Sequence, residues 1–464
     1  MLPTPHGKRL EDFDWPIEYG AERGVRRYIK AFLGRNTVAR ELATRMAEDT
    51  GTDFFDWVDH FTVDPRAAIE FAQLGFEREN VVAPEGWTIL SHPRAMLPRI
   101  VVVQDGLRDG APVRLAVRPE SITDFVAKNR PDATITRQCG ARYRQAEIHT
   151  EGGHELMAVE RLAERSFHLD EGSPHFAAAV LNVQKLWRER QRDFLENADG
   201  IAHAFEVQAK AIQLVGGDVA CELFFAAERA VWEQRNAAAR IQKRRQDALG
   251  LGWGNHDHHT FRCSRPCFAE LIRFLVNFGF EKRERYYAGA EAGWGAQISE
   301  HANTGITVFA DVDLMPEETG LDFSREPLPA APTLGTVGLW CALHGDSLLQ
   351  AGMHHLEARF EFTALRDQLE QHGVKTMRPF SDFAFLRQAF TEGERWPVNS
   401  ARVEQLQRQG SITAEEAAVF RRDGAIGSHL ENLQRKGGYK GFNQKSVSAI
   451  IAATDPRTSR SSHE

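Results

Sequence analysis

The feature that most constrains the fold of this chain is a short histidine-threonine motif that occurs twice. It appears as Asp59-His60-Phe61-Thr62 and again as Asp257-His258-His259-Thr260. Each copy begins a strand-like segment and leads into an amphipathic helical pattern. Three later pairs of segments match in the same order: Gly86-Trp87 with Gly293-Trp294, Arg114–Arg118 with His355–Arg359, and Thr150-Glu151-Gly152 with Thr391-Glu392-Gly393. A repeat with this order predicts a duplicated unit rich in strands.

The repeat predicts an α+β fold in which duplicated βαβββ modules form curved sheets or a barrel, with a large helical insert and a helical C-terminus. The predicted division of the chain is a helical N-terminus at 1–53, a degenerate βαβββ-type half at 54–155, a helical insert at 156–250, a metal-binding βαβββ-type half at 251–399, and a helical C-terminal segment and tail at 400–464.

The strands predicted in the second half include four at His256–Arg262, Thr336–Leu343, His354–Phe360 and Phe383–Phe390. After Pro397 the pattern predicts helices, and the tail from Asp455 is predicted to be disordered.

Composition excludes several classes of protein. The 464 residues include 57 Lys and Arg against 65 Asp and Glu, a net charge of -8, which indicates no general affinity for nucleic acid or anionic membranes. No apolar run approaches the roughly 20 residues that span a bilayer, and the N-terminus lacks the pattern of a signal peptide. The five scattered cysteines form no disulfide framework. We therefore expect a cytoplasmic protein, either a monomer or a homodimer, with a small-molecule partner.

A metal site is predicted in the second half. Strand side chains alternate between faces, so one histidine from each of two strands and a glutamate from a third can face the same space. His258, His355 and Glu392 are the predicted ligands. Two imidazoles and one carboxylate form a facial triad, which leaves open positions on Fe(II) for a substrate and dioxygen.

Nearby residues could bind the substrate or compete as ligands. Arg359 shares a face with His355, and its planar guanidinium could pair with a substrate carboxylate; Gln388 and Arg262 are predicted secondary contacts. Glu394 shares a face with Glu392 and remains an alternative carboxylate ligand. Four further residues neighbour the site: His259 and His354, which would face away from it, and Glu300 and His301, which remain possible ligands.

The first half differs at one decisive position. Arg114 stands where the second half has His355, and a guanidinium does not ligate metals. The first half is therefore interpreted as a structural copy without a metal.

These motifs resemble those of the vicinal oxygen chelate superfamily, most closely the 2-oxoadipate dioxygenase/decarboxylase (hydroxyglutarate synthase) family. The resemblance rests on Asp257-His258-His259-Thr260, on His355-Leu356-Glu357-Ala358-Arg359 and on Thr391-Glu392-Gly393-Glu394-Arg395. It covers the strands of residues 255–400. In that family the His-x-x-x-Arg strand precedes the Asn-His-x-Thr strand, whereas here it follows.

The resemblance implies that His258, His355 and Glu392 bind iron and that Arg359 anchors a substrate carboxylate. The expected activity is that of a non-haem Fe(II)-dependent dioxygenase that converts a 2-oxoadipate-like 2-oxo acid and dioxygen into a hydroxy acid and CO2. The alternatives are another metalloenzyme of this superfamily, either an extradiol ring-cleaving dioxygenase or a glyoxalase-like isomerase or lyase, and a metal-free ligand-binding protein.

Overall fold

The first half of the chain forms a seven-stranded sheet. The computed structural model describes residues 15–168, 172–289, 292–331, 333–443 and 454–457. The strands of this half, in chain order, are β1 (Val58–Val63), β2 (Glu77–Arg78), β3 (Thr88–Ser91), β4 (Arg99–Val102), β5 (Leu107–Arg108), β6 (Ala111–Pro112), β7 (Arg114–Val117), β8 (Tyr143–Glu151) and β9 (His154–Arg161). Their order in the sheet is β2-β3-β4-β1-β7-β9-β8, and β5 and β6 form a separate ribbon.

Four helices belong to this half: α1 (Tyr19–Leu33), α2 (Thr37–Thr50), α3 (Pro65–Gln73) and α4 (Ile122–Asn129). The start of α3 is fixed by Asp64, whose side chain accepts a hydrogen bond from the Ala67 backbone N–H, and by Pro65 in the first turn. Ser121 caps α4 in the same way, through the Asp124 backbone N–H. Apolar side chains of these helices pack with those of the sheet into one core.

A helical insert separates the two sheets in the chain. It consists of α5 (Pro174–Arg188), α6 (Asn197–Val215), α7 (Gly217–Gln234) and α8 (Ala237–Ala248). Aromatic residues of the insert, including Trp187, Phe224 and Phe225, are fully buried in the core of the second half. The insert therefore stabilises the sheet that follows it.

The second half forms a nine-stranded sheet. Its strands are β10 (His256–Arg262), β11 (Glu281–Tyr287), β12 (Trp294–Glu300), β13 (Thr307–Asp313), β14 (His355–Arg359), β15 (Ser381–Phe383), β16 (Leu386–Phe390), β17 (Glu394–Trp396) and β18 (Ala425–Arg435). The order is β11-β12-β13-β10-β14-β18-β16-β15, with β17 paired to β18. Its helices are α9 (Phe268–Phe278), α10 (Thr336–His344), α11 (Phe362–Gln371), α12 (Ser400–Arg408) and α13 (Ala414–Asp423).

The two sheets share one pairing scheme, which confirms the predicted duplication. In the first sheet β1 pairs parallel with β4 and antiparallel with β7, and β7 pairs parallel with β9. In the second sheet β10 pairs parallel with β13 and antiparallel with β14, and β14 pairs parallel with β18. Each sheet thus joins two βαβββ-type units through their first strands.

Two predicted elements were wrong. The segment predicted as a strand at Thr336–Leu343 is helix α10, because a short apolar run that is buried on all sides carries no periodicity to separate a strand from a helix. The segment after Pro397 is helical only up to Asp423; the long strand β18 follows. Every residue of β18 is buried, so it shows no alternation between buried and exposed positions.

Most of the tail predicted to be disordered lies outside the described residues.

Within the described ranges, the structure has no helix that combines the length and apolar character needed to cross a membrane.

Candidate metal centre

Two histidines and two glutamates converge on three adjacent strands of the second sheet. His258 lies on β10, His355 and Glu357 on β14, and Glu431 on β18. The strand register places His258 opposite Glu357 and Glu357 opposite Glu431. Because β14 lies between the other two strands, Glu357 occupies the middle of the cluster.

The distances within this cluster are those of direct contact. Glu357 Oε1 lies 2.7 Å from His258 Nε2 and 2.5 Å from His355 Nε2. His355 Nε2 lies 3.7 Å from Glu431 Oε2. All four residues are at most 6% exposed, so these polar groups are almost completely removed from solvent.

A second layer of hydrogen bonds orients the cluster. His258 Nδ1 lies 3.1 Å from Asp257 Oδ1, and Arg435 donates to both carboxylate oxygens of Asp257, at 2.8 and 3.0 Å. The Thr260 hydroxyl donates to Glu357 Oε1 at 3.0 Å, and Gln388 Nε2 donates to Glu431 Oε1 at 2.8 Å. Support of this kind fixes the tautomer of a ligating histidine and the orientation of ligating carboxylates.

The electrostatics of the cluster suit a cation. Burial alone would raise the pKa of Glu357, but His258 and His355 lower that pKa to about 2. Burial and the neighbouring charge of Glu357 instead raise the pKa of Glu431 well above its ordinary value. Two carboxylates so close together cannot both ionise easily unless positive charge lies between them.

The residues present fit a divalent transition metal. His258, Glu357 and Glu431 each offer a ligand atom, and these atoms all lie within 4.8 Å of one another. Glu357 Oε2 is buried and makes no hydrogen bond to any described residue, which is a costly arrangement that a metal would relieve. Imidazole and carboxylate donors together are the ligand set of non-haem iron, and they also suit manganese and zinc.

The structure brings His258 and His355 together as predicted, but it places Glu392 elsewhere. Glu392 is exposed and follows the end of β16, where its backbone N–H bonds the Lys375 carbonyl at 2.9 Å. The prediction extended strand alternation past Phe390, where the strand ends. The carboxylates that meet the histidines are instead Glu357 and Glu431.

Sequence reasoning missed these two carboxylates for different reasons. Alternation did place Glu357 on the face of His355, so the signal was present but was not interpreted as a ligand. Glu431 lay in a segment predicted to be entirely helical. The one available signal was the run His429-Leu430-Glu431, in which two residues of metal-ligating type are separated by one apolar residue, as in a strand.

The alternative ligands lie outside the cluster. His259 faces the other side of the sheet, where its Nε2 lies 3.3 Å from Arg229 Nη1. Glu394 accepts a hydrogen bond from the Ala237 backbone N–H at 3.1 Å. His354 lies behind the cluster, with its Nδ1 2.5 Å from His355 Nδ1. His301 contacts the Phe278 carbonyl, and Glu300 contacts Lys440.

The cluster faces a small cavity of about 80 Å³. Six aromatic side chains form most of its wall: Tyr286, Trp294, Phe309, Phe380, Phe390 and Phe442. The predicted contacts Gln388 and Arg262 also line it. Nε and Nη1 of Arg262 are buried without a hydrogen-bond partner among the described residues, so they are donors available to a ligand.

The third predicted substrate contact, Arg359, does not line this cavity. It lies on the same strand as His355 but four residues further along, roughly 13 Å at about 3.3 Å per residue. Its guanidinium donates to the Asp56 carbonyl at 3.1 Å, in the first half of the molecule. Sharing a face of a strand therefore did not mean sharing a cavity.

Comparisons with known proteins give only distant similarity. No known protein family matches the sequence, and no curated protein matches it. Among solved structures, a 4-hydroxymandelate synthase mutant from Streptomyces coelicolor is 14% identical, with a TM-score of 0.29 over 86% of this chain and 98% of that one.

Two smaller structures match parts of the chain. A proposed hydrolase from Shewanella frigidimarina is 15% identical, with a TM-score of 0.33 over 47% of this chain and 96% of that one. Methylmalonyl-CoA epimerase from Mycobacterium tuberculosis is 11% identical, with a TM-score of 0.23 over 39% and 88%. At these values the similarity carries no information on substrate or reaction. What the chain's own strand order and pairing establish is an α+β fold with two sheets built on one pairing scheme.

Proposed function

We propose that this protein is a non-haem Fe(II)-dependent dioxygenase that acts on a 2-oxo acid and releases a hydroxy acid and CO2. The observation that carries the proposal is the buried cluster of two histidines and two glutamates that faces a cavity lined mainly by aromatic side chains. His258, His355 and Glu431 would form the facial triad, with Glu357 as a fourth or alternative carboxylate ligand.

When bound, Fe(II) supplies open coordination positions for dioxygen and for the oxo and carboxylate oxygens of the substrate. In the balanced reaction, the bond between the oxo carbon and the carboxylate breaks and that carboxylate leaves as CO2. One atom of dioxygen enters the new carboxylate, and the other is inserted into a C–H bond of the shortened acid, so that this hydrogen becomes the hydroxyl hydrogen.

The side chains around the cluster would bind and orient the substrate. Arg262 Nε and Nη1 are buried without a hydrogen-bond partner in the described part of the chain and would pair with a carboxylate of the substrate. Thr260 and Gln388 hold the two glutamates in place through hydrogen bonds. The aromatic walls exclude water, which strengthens the electrostatic contacts inside the cavity.

The test is oxygen consumption by protein purified without oxygen and then loaded with Fe(II). A panel of aliphatic and aromatic 2-oxo acids should include one that consumes oxygen and releases CO2 in equal amounts, and chelation should abolish both. Turnover without oxygen would instead indicate an isomerase or lyase. Protein that binds no transition metal at all would indicate a ligand-binding protein. Ring-opened products from a catechol, with no release of CO2, would indicate an extradiol dioxygenase.

A further inference from the structure

A second and larger cavity lies where the two halves of the molecule meet. Its volume is about 410 Å³, and its walls come from both sheets, for example Asp59 and Arg118 from the first half and Asp257 and Arg359 from the second. It is distinct from the cavity of the metal centre, although Phe442 contributes to the walls of both.

This interface cavity is strongly basic. Eight Arg and Lys side chains line it, against five Asp and Glu side chains, in a chain whose overall charge is -8. A concave surface with one dominant sign of charge concentrates ligands of the opposite sign. The cavity therefore favours an anionic ligand.

Several of the charges are already paired. Arg161 binds Asp59 at 2.8 Å, Arg435 binds Asp257 at 2.8 Å, and Lys440 binds Glu300 at 3.1 Å. These pairs form part of the framework of the cavity and leave little charge for a ligand.

Two arginines retain unused donors. Among the described residues, the Arg118 side chain has neither a hydrogen bond nor an ion pair. Nε of Arg359 is buried and has no hydrogen-bond partner in the same part of the chain, and its Nη1 lies 3.7 Å from Asp56 Oδ1, beyond hydrogen-bond distance. Unpaired donors of a guanidinium are well suited to the oxygens of a carboxylate or a phosphate.

The duplication explains why both arginines line the same cavity. Arg118 directly follows β7, and Arg359 ends β14, which is the equivalent strand of the second sheet. The Arg118 backbone N–H bonds the Trp57 carbonyl just before β1, and the Arg359 backbone N–H bonds the Asn255 carbonyl just before β10. The two halves thus contribute the same type of residue, from equivalent strand positions, to one shared cavity.

We infer that the interface cavity is a binding site for a small dianion, either a phosphate ester or a dicarboxylate, held between Arg118 and Arg359. Arg118 and Arg359 belong neither to the metal cluster nor to the walls of its cavity, and the inference does not rest on the proposed oxygenase activity. A ligand there would bridge the two halves of the molecule and stabilise their contact.

The test is isothermal titration calorimetry of the metal-free full-length protein with two probes, inorganic phosphate and malonate. We expect saturable binding of at least one probe with one site per chain, weakened by added salt. Binding of phosphate alone would assign the site to phosphate esters, binding of malonate alone to dicarboxylates, and binding of both to dianions generally. No saturable binding of either probe would overturn the inference.

Four variants locate the site. Arg118→Gln and Arg359→Gln should each weaken binding at least about tenfold, as expected for the loss of a charge-assisted contact. Arg366→Gln, which removes an exposed arginine, is the matched control and should bind like the parent protein. Arg262→Gln should also bind like the parent protein; weakened binding in this variant would place the anion in the metal cavity and overturn the inference. Arg118 makes no side-chain hydrogen bond or ion pair among the described residues, but its charge lowers the pKa of Glu222 against the effect of burial, so the melting temperature of Arg118→Gln should be measured to show that the variant is folded.

Discussion

The two halves of the molecule share a framework but not a metal cluster. Strand register aligns His60 with His258, and it aligns three further positions of the first half with those of the second: Arg114 with His355, Ala116 with Glu357 and Met157 with Glu431. Of the four residues in the cluster, only His258 therefore has an identical counterpart in the first half. The sequence comparison found the loss at Arg114, and the structure shows that both carboxylates are also missing.

The supporting pair behind the histidine is present in both halves. Asp59 accepts from His60 Nδ1 at 2.6 Å and binds Arg161 at 2.8 and 3.0 Å. Asp257 makes the same contacts with His258 and Arg435. This Asp-His-Arg arrangement is therefore present whether or not a metal cluster adjoins it. The two halves differ in the residues on the side of the histidine ring that faces away from the aspartate.

The space in front of His60 is filled by an aromatic side chain. The ring of Phe167 packs edge-on against His60, with centroids 4.9 Å apart. Burial lowers the pKa of His60, whereas the pKa of His258 is raised because Glu357 and Asp257 outweigh the effect of burial. The two histidines thus have opposite electrostatic environments in similar backbones.

The largest expected contrast comes from removing each histidine. His258→Ala should lose the bound metal and with it at least about 100-fold of the activity, because a ligand is removed. His60→Ala should be less stable, since it leaves a cavity and removes the hydrogen bond between His60 and Asp59, but it should keep its metal. Metal analysis by mass spectrometry and oxygen consumption would measure both. Equal metal content in the two variants would refute the proposed location of the site.

The next contrast separates the predicted carboxylate ligand from the one that the structure indicates. Glu431→Gln should weaken metal binding at least about tenfold, because Glu431 lies in the cluster. Glu392→Gln should bind metal like the parent protein, because Glu392 is exposed beyond the strand. Competition with a chromogenic chelator gives both affinities. Weakened binding in Glu392→Gln alone would restore the original prediction.

The comparison of the two halves shows which features of the fold and of the site could be predicted from the sequence. The duplication, the matching of Arg114 to His355 and the two histidines of the cluster were predictable, because strand alternation and repeat order are local properties of the chain. Glu431 was not, because β18 is buried on both faces and is brought beside β14 only by tertiary pairing. Arg359 shows a second limit, since alternation gives the face of a side chain but not the cavity that it reaches.

A smaller effect is expected from the supporting aspartates. Asp257→Asn should weaken metal binding by about 10- to 100-fold, the usual cost of losing a partner of a ligating histidine. Asp59→Asn should lower stability by a similar amount to Asp257→Asn, because each removes the negative charge that pairs with a buried arginine. Metal affinity and thermal unfolding, measured on both variants, separate the two effects. Unchanged metal affinity in Asp257→Asn would mean that the aspartate is only structural in both halves.

The last contrast concerns a buried carboxyl of the second half whose counterpart in the first half is an apolar residue. Asp311 lines the metal cavity, and burial raises its pKa to about 7 even though Arg262 opposes the shift; Val103 stands at the corresponding place in the first half. Because the pKa in the folded state lies above the value of about 4 in the unfolded chain, the folded protein holds the proton more tightly. Its stabilising contribution is therefore complete below pH 4 and is lost as the pH rises towards 7.

The metal-free parent protein should accordingly lose free energy of unfolding between about pH 4 and pH 7, by at most roughly 4 kcal/mol from this group at about 1.36 kcal/mol per pKa unit. Asp311→Asn should flatten that part of the profile, while Asp367→Asn, which changes an exposed carboxylate, should leave it as it is. Urea unfolding at a series of pH values measures the slopes. A parallel profile for Asp311→Asn would mean that Asp311 is ionised in the folded protein, and that Arg262 is then already neutralised and unavailable to a substrate carboxylate.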